Sequence, residues 1–153
     1  MKITRVVAGL AFLMGCGTEG KDTATFCTEV GCISGFSMVV TDSFGEAATG
    51  AYGSLGIVSG DSSEMREYTF NCATGEGDAS CDGNIVTIEL DDAADLPSDA
   101  MYLYTVSVSD AESASGSGTF SWNEFSPNGA ECPPTCYTME VEVGLELSEP
   151  AGG

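Results

Sequence analysis

The chain has 153 residues, with 24 acidic residues against four lysines and arginines and a formal net charge of −20. A surface of this charge repels nucleic acid and anionic lipid headgroups, so no nucleic-acid partner is expected; a protein partner, a basic ligand or a divalent cation remains compatible with it. The absence of histidine removes the Ser-His-Asp and Cys-His arrangements and the commonest general base. We therefore predict that the protein is not an enzyme and that it has no resident cofactor.

The N-terminus contains a short apolar run that ends in Leu13-Met14-Gly15-Cys16. Two basic residues precede the run, which is shorter than the roughly 20 residues that span a bilayer. This pattern is typical of a bacterial lipoprotein signal peptide, which is removed so that a lipid-bearing cysteine becomes the first residue. The alternative is an ordinary secretory signal that leaves Cys16 free.

The lipoprotein interpretation divides the chain into a signal peptide, a tether, one folded domain and a short tail. Two acyl chains on Cys16, of the palmitate type, suffice for stable membrane anchoring. Gly17 follows the cysteine in place of the Asp that retains such proteins at the inner membrane of enteric bacteria, so we expect an outer-membrane or cell-surface location after export. The predicted segments are a signal peptide at 1–15, the lipidated cysteine and a flexible tether at 16–26, a folded domain at 27–148 and a disordered tail at 149–153.

Seven cysteines are an odd number, but assigning Cys16 to lipid leaves six. An even set in an exported protein is the pattern of a disulfide framework. We expect a Cys72–Cys81 bridge across a glycine-rich turn. The other four can form local bridges or two long-range bridges between the chain's ends, and the long-range arrangement is favoured because closing loops of about 100 residues constrains the unfolded chain more. The predicted disulfide cysteines are Cys27, Cys32, Cys72, Cys81, Cys132 and Cys136.

Alternation of apolar and polar residues with period two dominates the rest of the chain, in about seven short segments. This predicts an all-β fold: a single β-sandwich, immunoglobulin-like or transthyretin-like, stapled by disulfides. In an immunoglobulin-like sandwich the first and last strands run side by side in parallel. The predicted inward rows are 36, 38 and 40; 68, 70 and 72; 86, 88 and 90; 102, 104, 106 and 108; and 137, 139, 141, 143, 145 and 147. Two further candidate strands lie at 51–58 and at 118–125, where Phe120 and Trp122 share a face.

Turn-forming residues separate these segments. Asp110 to Gly116 is predicted to be a turn because it contains the turn-forming residues Asp, Ser and Gly. Gly75 to Asp78 is predicted to be another. Asp91 to Asp99 is a longer acidic connection that holds a short helical turn.

The segment from Asp78 to Glu89 also satisfies the spacing of a twelve-residue calcium loop. Oxygen-bearing side chains occupy its first, third, fifth and last positions, and glycine occupies the sixth. The flanking segments alternate as strands, whereas a calcium loop of this kind lies between helices, so the favoured interpretation is an Asp82-Gly83 hairpin turn and no metal site. The alternative is a low-affinity calcium-binding surface module with the ligands Asp78, Ser80, Asp82, Asn84 and Glu89.

Trp122, with Phe120 and Phe125 nearby, could form a ligand platform, but one tryptophan on a sandwich strand is more often part of the core. Core filling is also the favoured role of Met65, Met101 and Met139.

Several motifs together resemble a group of small cysteine-rich β-sandwich lipoproteins of the myxobacterial type. They are the lipoprotein cleavage motif, Cys27-Thr-Glu-Val-Gly-Cys32, Phe70-Asn-Cys72, Cys81-Asp-Gly-Asn84 and, most distinctively, the segment from Pro127 to Cys136. The resemblance implies the fold and the envelope location. The group has no assigned activity, so it implies no catalytic residue. The predicted function is that of a lipid-anchored, non-enzymatic envelope or cell-surface lipoprotein with a structural or protein-binding role.

Overall fold

A computed structural model of the chain describes residues 31–59, 64–130 and 132–147. These residues form a disulfide-stapled β-sandwich with two sheets and no α-helix. The predicted signal peptide, the tether, Cys16, Cys27 and the C-terminal tail lie outside the described residues. Within the described part, no helix is long and apolar enough to cross a membrane.

The described chain forms eleven strands and one short 3-10 helix, and seven of the strands have five or more residues. The elements are β1 (Gly35–Thr41), β2 (Tyr52–Val58), β3 (Met65–Asn71), β4 (Glu76–Gly77), β5 (Ala79–Asp82), β6 (Ile85–Glu89), the 3-10 helix (Ala93–Asp95), β7 (Met101–Ser109), β8 (Glu112–Thr119), β9 (Asn123–Phe125), β10 (Cys136–Gly144) and β11 (Glu146–Leu147). The first sheet has the order β5-β6-β1-β10-β9, and the second has the order β11-β8-β7-β2-β3-β4.

The first and last long strands, β1 and β10, pair in parallel from Gly35 opposite Thr138 to Thr41 opposite Gly144. This is the pairing that the immunoglobulin-like alternative predicts. Beyond it the chain changes sheets: the Leu145 N–H donates to the Thr41 carbonyl at 2.8 Å, and Glu146 then pairs with Ser113 in the second sheet. One continuous segment therefore belongs to both sheets.

The core lies between the sheets and is apolar, because alternate side chains of the long strands point inward. Phe36 and Met38 of the first sheet and Leu55 of the second are fully buried, and no polar or charged residue of the described chain is buried. Burial of one such side chain contributes about 1.5–3 kcal/mol. The inward rows predicted for β1, β3, β6 and β7 all pack in or against this core.

Two glycines of β8 are required by tyrosine rings of β7. A Cβ atom on Gly116 would lie 2.5 Å from the Tyr104 ring, and one on Gly118 would lie 2.5 Å from the Tyr102 hydroxyl oxygen. The rings lie across the β8 backbone, so tyrosine side chains of β7 supply the apolar surface on the inward side of β8.

Three predictions about the strands are wrong. Asp110 to Gly116 is not a turn, since only Asp110 and Ala111 turn and β8 begins at Glu112. The strand expected at 118–125 is divided, because β8 ends at Thr119 and the chain crosses to the first sheet before β9. Leu147 is 62% exposed, since it belongs to β11 rather than to the inward row of β10. The predicted turn at 75–78 contains the two-residue strand β4, whereas the helical turn expected at 91–99 is present as the 3-10 helix.

Disulfides join Cys32 to Cys136 and Cys72 to Cys81. The second pair is the local bridge predicted from the sequence, and the first is a long-range bridge of the favoured arrangement, with partners 104 residues apart. Because Cys136 bonds to Cys32, the alternative local bridge between Cys132 and Cys136 is wrong. Cys132 is also disulfide-bonded, and Cys27 lies outside the described residues. In the chain-entropy model, closing a loop of about 104 residues is worth up to about 4–5 kcal/mol.

Cleavage at methionine tests this connectivity. Without reductant, cyanogen bromide should leave the fragment ending at Met38, which contains Cys32, attached to fragment 102–139, which contains Cys136. Fragment 66–101, with both Cys72 and Cys81, should separate from them. Mass spectrometry before and after reduction identifies each species, and release of the Met38 fragment without reductant would contradict the structure.

Candidate interaction surface

The outward faces of the two sheets differ in charge. On the first sheet, three glutamates point outward. Glu140 and Glu142 of β10 lie opposite Ser37 and Val39 of β1, and Glu89 of β6 lies opposite Gly35. On the four long strands of the second sheet, the outward residues are uncharged except for Glu67, and most of them carry a hydroxyl group or are apolar. They are Tyr52, Ser54, Gly56, Val58, Met65, Glu67, Thr69, Asn71, Met101, Leu103, Thr105, Ser107, Ser113, Ser115, Ser117 and Thr119.

We call this set the neutral face. Its polar part has hydroxyl groups in register across neighbouring strands: Ser54 lies opposite Thr105, and Thr105 lies opposite Ser115. The Ser54 and Thr105 hydroxyl oxygens are 3.2 Å apart and share a hydrogen bond. Because serine and threonine hydroxyls both donate and accept, this part of the face offers uncharged hydrogen-bonding groups to a partner.

The apolar part of the neutral face lies around Val58, which is flanked by Met65 on β3 and Met101 on β7. Met65 is 53% exposed and Met101 is 44% exposed, so the core role predicted for these two methionines is wrong. The Met65 side chain covers Gly56, and a Cβ atom on that glycine would lie 2.7 Å from the Met65 sulfur. Flexible methionine side chains on an exposed sheet adapt well to a protein partner.

Two shallow cavities border the neutral face. One, of about 490 Å³, lies over Gly56 and Leu103 and reaches Glu67 on one side and Ser117 on the other. The second, of about 460 Å³, lies where β11 leaves β8, and Ser113, Ser115 and Glu146 help to line it. Both cavities therefore meet β8, at the edge of the sheet.

The tyrosines of β7 lie beneath this face. The Tyr102 and Tyr104 rings stack with centroids 6.5 Å apart, and Tyr102 contacts Phe36 at 4.9 Å. Burial raises the pKa of the Tyr104 phenol above its usual range, and the neighbouring Tyr102 raises it further. The Tyr104 phenol therefore stays neutral at physiological pH and adds no charge beneath the neutral face.

Of the three aromatic residues of the possible platform, Phe120 and Trp122 pack against the core, whereas Phe125 on β9 is 60% exposed. The Phe120 and Trp122 rings stack at 4.9 Å, and both half-buried residues pack against the core cluster. Met139 is half-buried beside them, and its sulfur accepts a hydrogen bond from the Ser121 N–H at 3.4 Å. Trp122 thus has the core role that the sequence favours.

The five candidate calcium ligands lie along a β-hairpin. Strands β5 and β6 pair from Ala79 opposite Ile88 to Asp82 opposite Ile85, which leaves Gly83 and Asn84 as the connecting turn. The favoured hairpin interpretation is thus correct, with the turn one residue further along than predicted. Asp78 and Asp82 are four residues apart along an extended chain, or about 13 Å, whereas oxygens that share one Ca²⁺ lie within 2.6 Å of it.

Two of these candidate ligands are also engaged elsewhere. The Asp78 carboxylate accepts a hydrogen bond from the Thr69 N–H at 2.8 Å, and the Asn84 amide donates to the Val40 carbonyl at 2.9 Å. The described residues contain no group of three or more His, Cys, Asp or Glu side chains placed to hold a metal. The geometry of the hairpin therefore lends no support to the calcium alternative.

A scan against models of protein families, a search of curated proteins and a search of solved structures each found no match. No relative therefore lends a residue role to this chain, and the roles of its surfaces follow from their own geometry and charge.

Calcium titration tests the hairpin interpretation. Because the surface is strongly acidic, we expect Ca²⁺ and Mg²⁺ to raise the melting temperature of the full chain by the same amount, through screening of the charges. In Asp82→Asn, the two ions should again raise the melting temperature equally. A calcium site with a Kd of about 1 mM would instead add about 1.4 kcal/mol of stability at 10 mM Ca²⁺ alone. Such an excess over Mg²⁺, lost in Asp82→Asn, would revive the calcium alternative.

Proposed function

We propose that the protein is a lipid-anchored, non-enzymatic protein of the cell envelope or cell surface, with a structural or protein-binding role. The anchor part rests on the Leu13-Met14-Gly15-Cys16 motif and on the resemblance to cysteine-rich lipoproteins. The disulfides support export, because such bonds persist in oxidising compartments and are rare in the cytosol.

The protein-binding part rests on one observation, the segregation of charge between the two sheets. In a chain with 24 acidic residues, the long strands of the second sheet carry Glu67 as their one outward charge. Charged groups are depleted at the centres of protein interfaces, because each must lose its hydration there. A broad uncharged face on an acidic protein is therefore what a docking surface requires.

The non-enzymatic part rests on the side chains available for chemistry. The chain has no histidine, and the one basic residue in the described part, Arg66, forms an ion pair of 2.5 Å with Asp92. The four cysteines of the Cys32–Cys136 and Cys72–Cys81 bridges are oxidised and so are not available as nucleophiles. This set suits recognition rather than acyl transfer or acid–base catalysis.

Metabolic labelling with a radioactive fatty acid tests the anchor. In the native host, the full chain should incorporate label and sediment with the envelope, whereas Cys16→Ser should lose the label completely. The matched control Thr18→Ala keeps the cysteine and should be labelled as the parent chain is. Label that persists in Cys16→Ser would overturn the lipid-anchor proposal.

A further inference from the structure

We infer that the open edge of β8, residues Ala114–Thr119, binds an extended segment of a partner protein as an added β-strand, and that this segment has basic residues on both sides of a short uncharged centre. We call these six residues the β8 edge. The inference rests on the protein-binding part of the proposed function and names the class of partner. It does not depend on the lipid anchor.

The β8 edge has a strand partner on one side. β7 pairs with β8 along its length, from Ser109 opposite Glu112 to Met101 opposite Thr119. On the other side, β11 pairs with Glu112 and Ser113 alone. Within the described part of the chain, the outward N–H and C=O groups of the β8 edge are therefore open to a further strand, and main-chain hydrogen bonds of this kind supply the affinity in strand addition.

The β8 edge lacks the features that normally protect an exposed edge. Its sequence, Ala-Ser-Gly-Ser-Gly-Thr, has no charge and no proline, and the irregularity in the β7–β8 ladder lies away from it, between Ser107 and Ser109. The other sheet edges in the described residues are charged or very short. The part of β10 beyond β9, residues 139–144, carries Glu140 and Glu142, and the part of β3 beyond β4 carries Arg66 and Glu67. The terminal strands β5, β9 and β4 have four, three and two residues. The β8 edge is therefore the best template for strand addition in the described fold.

The β8 edge is also held in a fixed position. The Tyr104 and Tyr102 rings occupy the space that side chains at Gly116 and Gly118 would need, so the β8 backbone lies directly on a stacked aromatic pair. A strand template held by packing need not be ordered when the partner arrives, which lowers the entropic cost of binding. The small residues of the edge also allow an incoming backbone to approach closely.

Acidic residues lie near both ends of β8. At one end, on the side of the open edge, Glu146 pairs with Ser113 and borders the 460 Å³ cavity. At the other end, on the β7 side, the exposed Asp99 adjoins Ala100, whose carbonyl accepts a hydrogen bond from the Phe120 N–H at 3.4 Å. Lysine or arginine on either side of an uncharged centre complements this arrangement.

The same charges favour a basic partner over a second copy of this chain. Two copies joined through their β8 edges would bring their acidic ends together, and each chain carries a net charge of −20. A single extended basic-ended segment avoids this repulsion and is attracted to the acidic chain instead.

Three labelled peptides test the inference against the purified, oxidised full chain by fluorescence anisotropy. The first is Lys-Arg-Thr-Val-Ser-Val-Thr-Arg-Lys, the second replaces its four basic residues with Glu and Asp, and the third is the first with N-methyl groups on alternate central amides. We expect the first peptide to bind at least tenfold more tightly than either of the others. Equal binding of the first and third would show charge attraction without strand addition and would overturn the inference, as would no binding of the first.

Two charge reversals of equal size locate the site. Glu146→Lys, beside the β8 edge, should weaken binding of the first peptide at least tenfold. The matched control Glu142→Lys, on the outward face of the first sheet, should change it less than twofold. Equal effects of the two substitutions on peptide binding would overturn the proposed location. If the chain without peptide instead sediments as a dimer, and Ser117→Pro abolishes that dimer, the β8 edge binds a second copy of the chain. Fatty-acid labelling at Cys16 is unaffected by any of these results, so failure here is distinguishable from failure of the proposed anchor.

Discussion

The parallel pairing of β1 with β10 is the interaction on which the rest of the fold depends. It joins segments about one hundred residues apart, and the Cys32–Cys136 bridge closes the same long loop covalently. β1 is the central strand of the first sheet and supplies Phe36, Met38 and Val40 to the core, each fully buried. Without this pairing, the first sheet would lose its central ladder of hydrogen bonds, and its inward side chains would no longer pack against those of the second sheet.

The same pairing determines where the second sheet ends. Because β10 is held beside β1 as far as Gly144, the chain reaches the second sheet only at Glu146 and pairs with the first two residues of β8. The rest of β8 remains an edge in the described structure. The open edge beside the neutral face is thus a consequence of how the last long strand passes from one sheet to the other.

Charge is divided between the sheets in a way that matches this geometry. Glu140 and Glu142 point outward from β10 on the first sheet, whereas the strand beside the open edge, β7, points Leu103 and Thr105 outward. Solvated carboxylates keep the first face hydrated and discourage association there, and the uncharged second face loses little hydration when a partner covers it. One face therefore stays hydrated, whereas the other can be covered at a smaller cost in desolvation.

Much of the sandwich could be predicted from the sequence, because strands with strong apolar contrast reveal their inward rows directly. Phe36, Met38 and Val40 alternate with polar or smaller residues, and the parity of cysteines pointed to disulfides with the Cys72–Cys81 pairing among them. β8 could not be found in this way. Its inward residues are Ala114, Gly116 and Gly118, so the segment has the composition of a loop, and the apolar volume that makes it a strand comes from tyrosines on β7.

The exposed methionines show where the alternation was the better guide. The inward rows at 68, 70 and 72 and at 102, 104, 106 and 108 put Met65 and Met101 at the outward parity, so the core role assigned to their apolar side chains was inconsistent with that alternation. The neutral face became apparent only when the register placed these residues beside Val58. One signal was present in the sequence: Ser113, Ser115, Ser117 and Thr119 repeat with period two, which is the pattern of one outward strand face.

Native-state hydrogen exchange of the oxidised full chain tests the central claim most directly. β1, bonded on both sides by β6 and β10, should contain the slowest-exchanging amides, with protection close to the global unfolding free energy. The amides of Ala114–Thr119 that face away from β7 should exchange orders of magnitude faster, while those bonded to β7 remain protected. Uniformly slow exchange across Ala114–Thr119 would show that the edge is already covered, and fast exchange in β1 would show that the β1–β10 pairing does not hold the sandwich together.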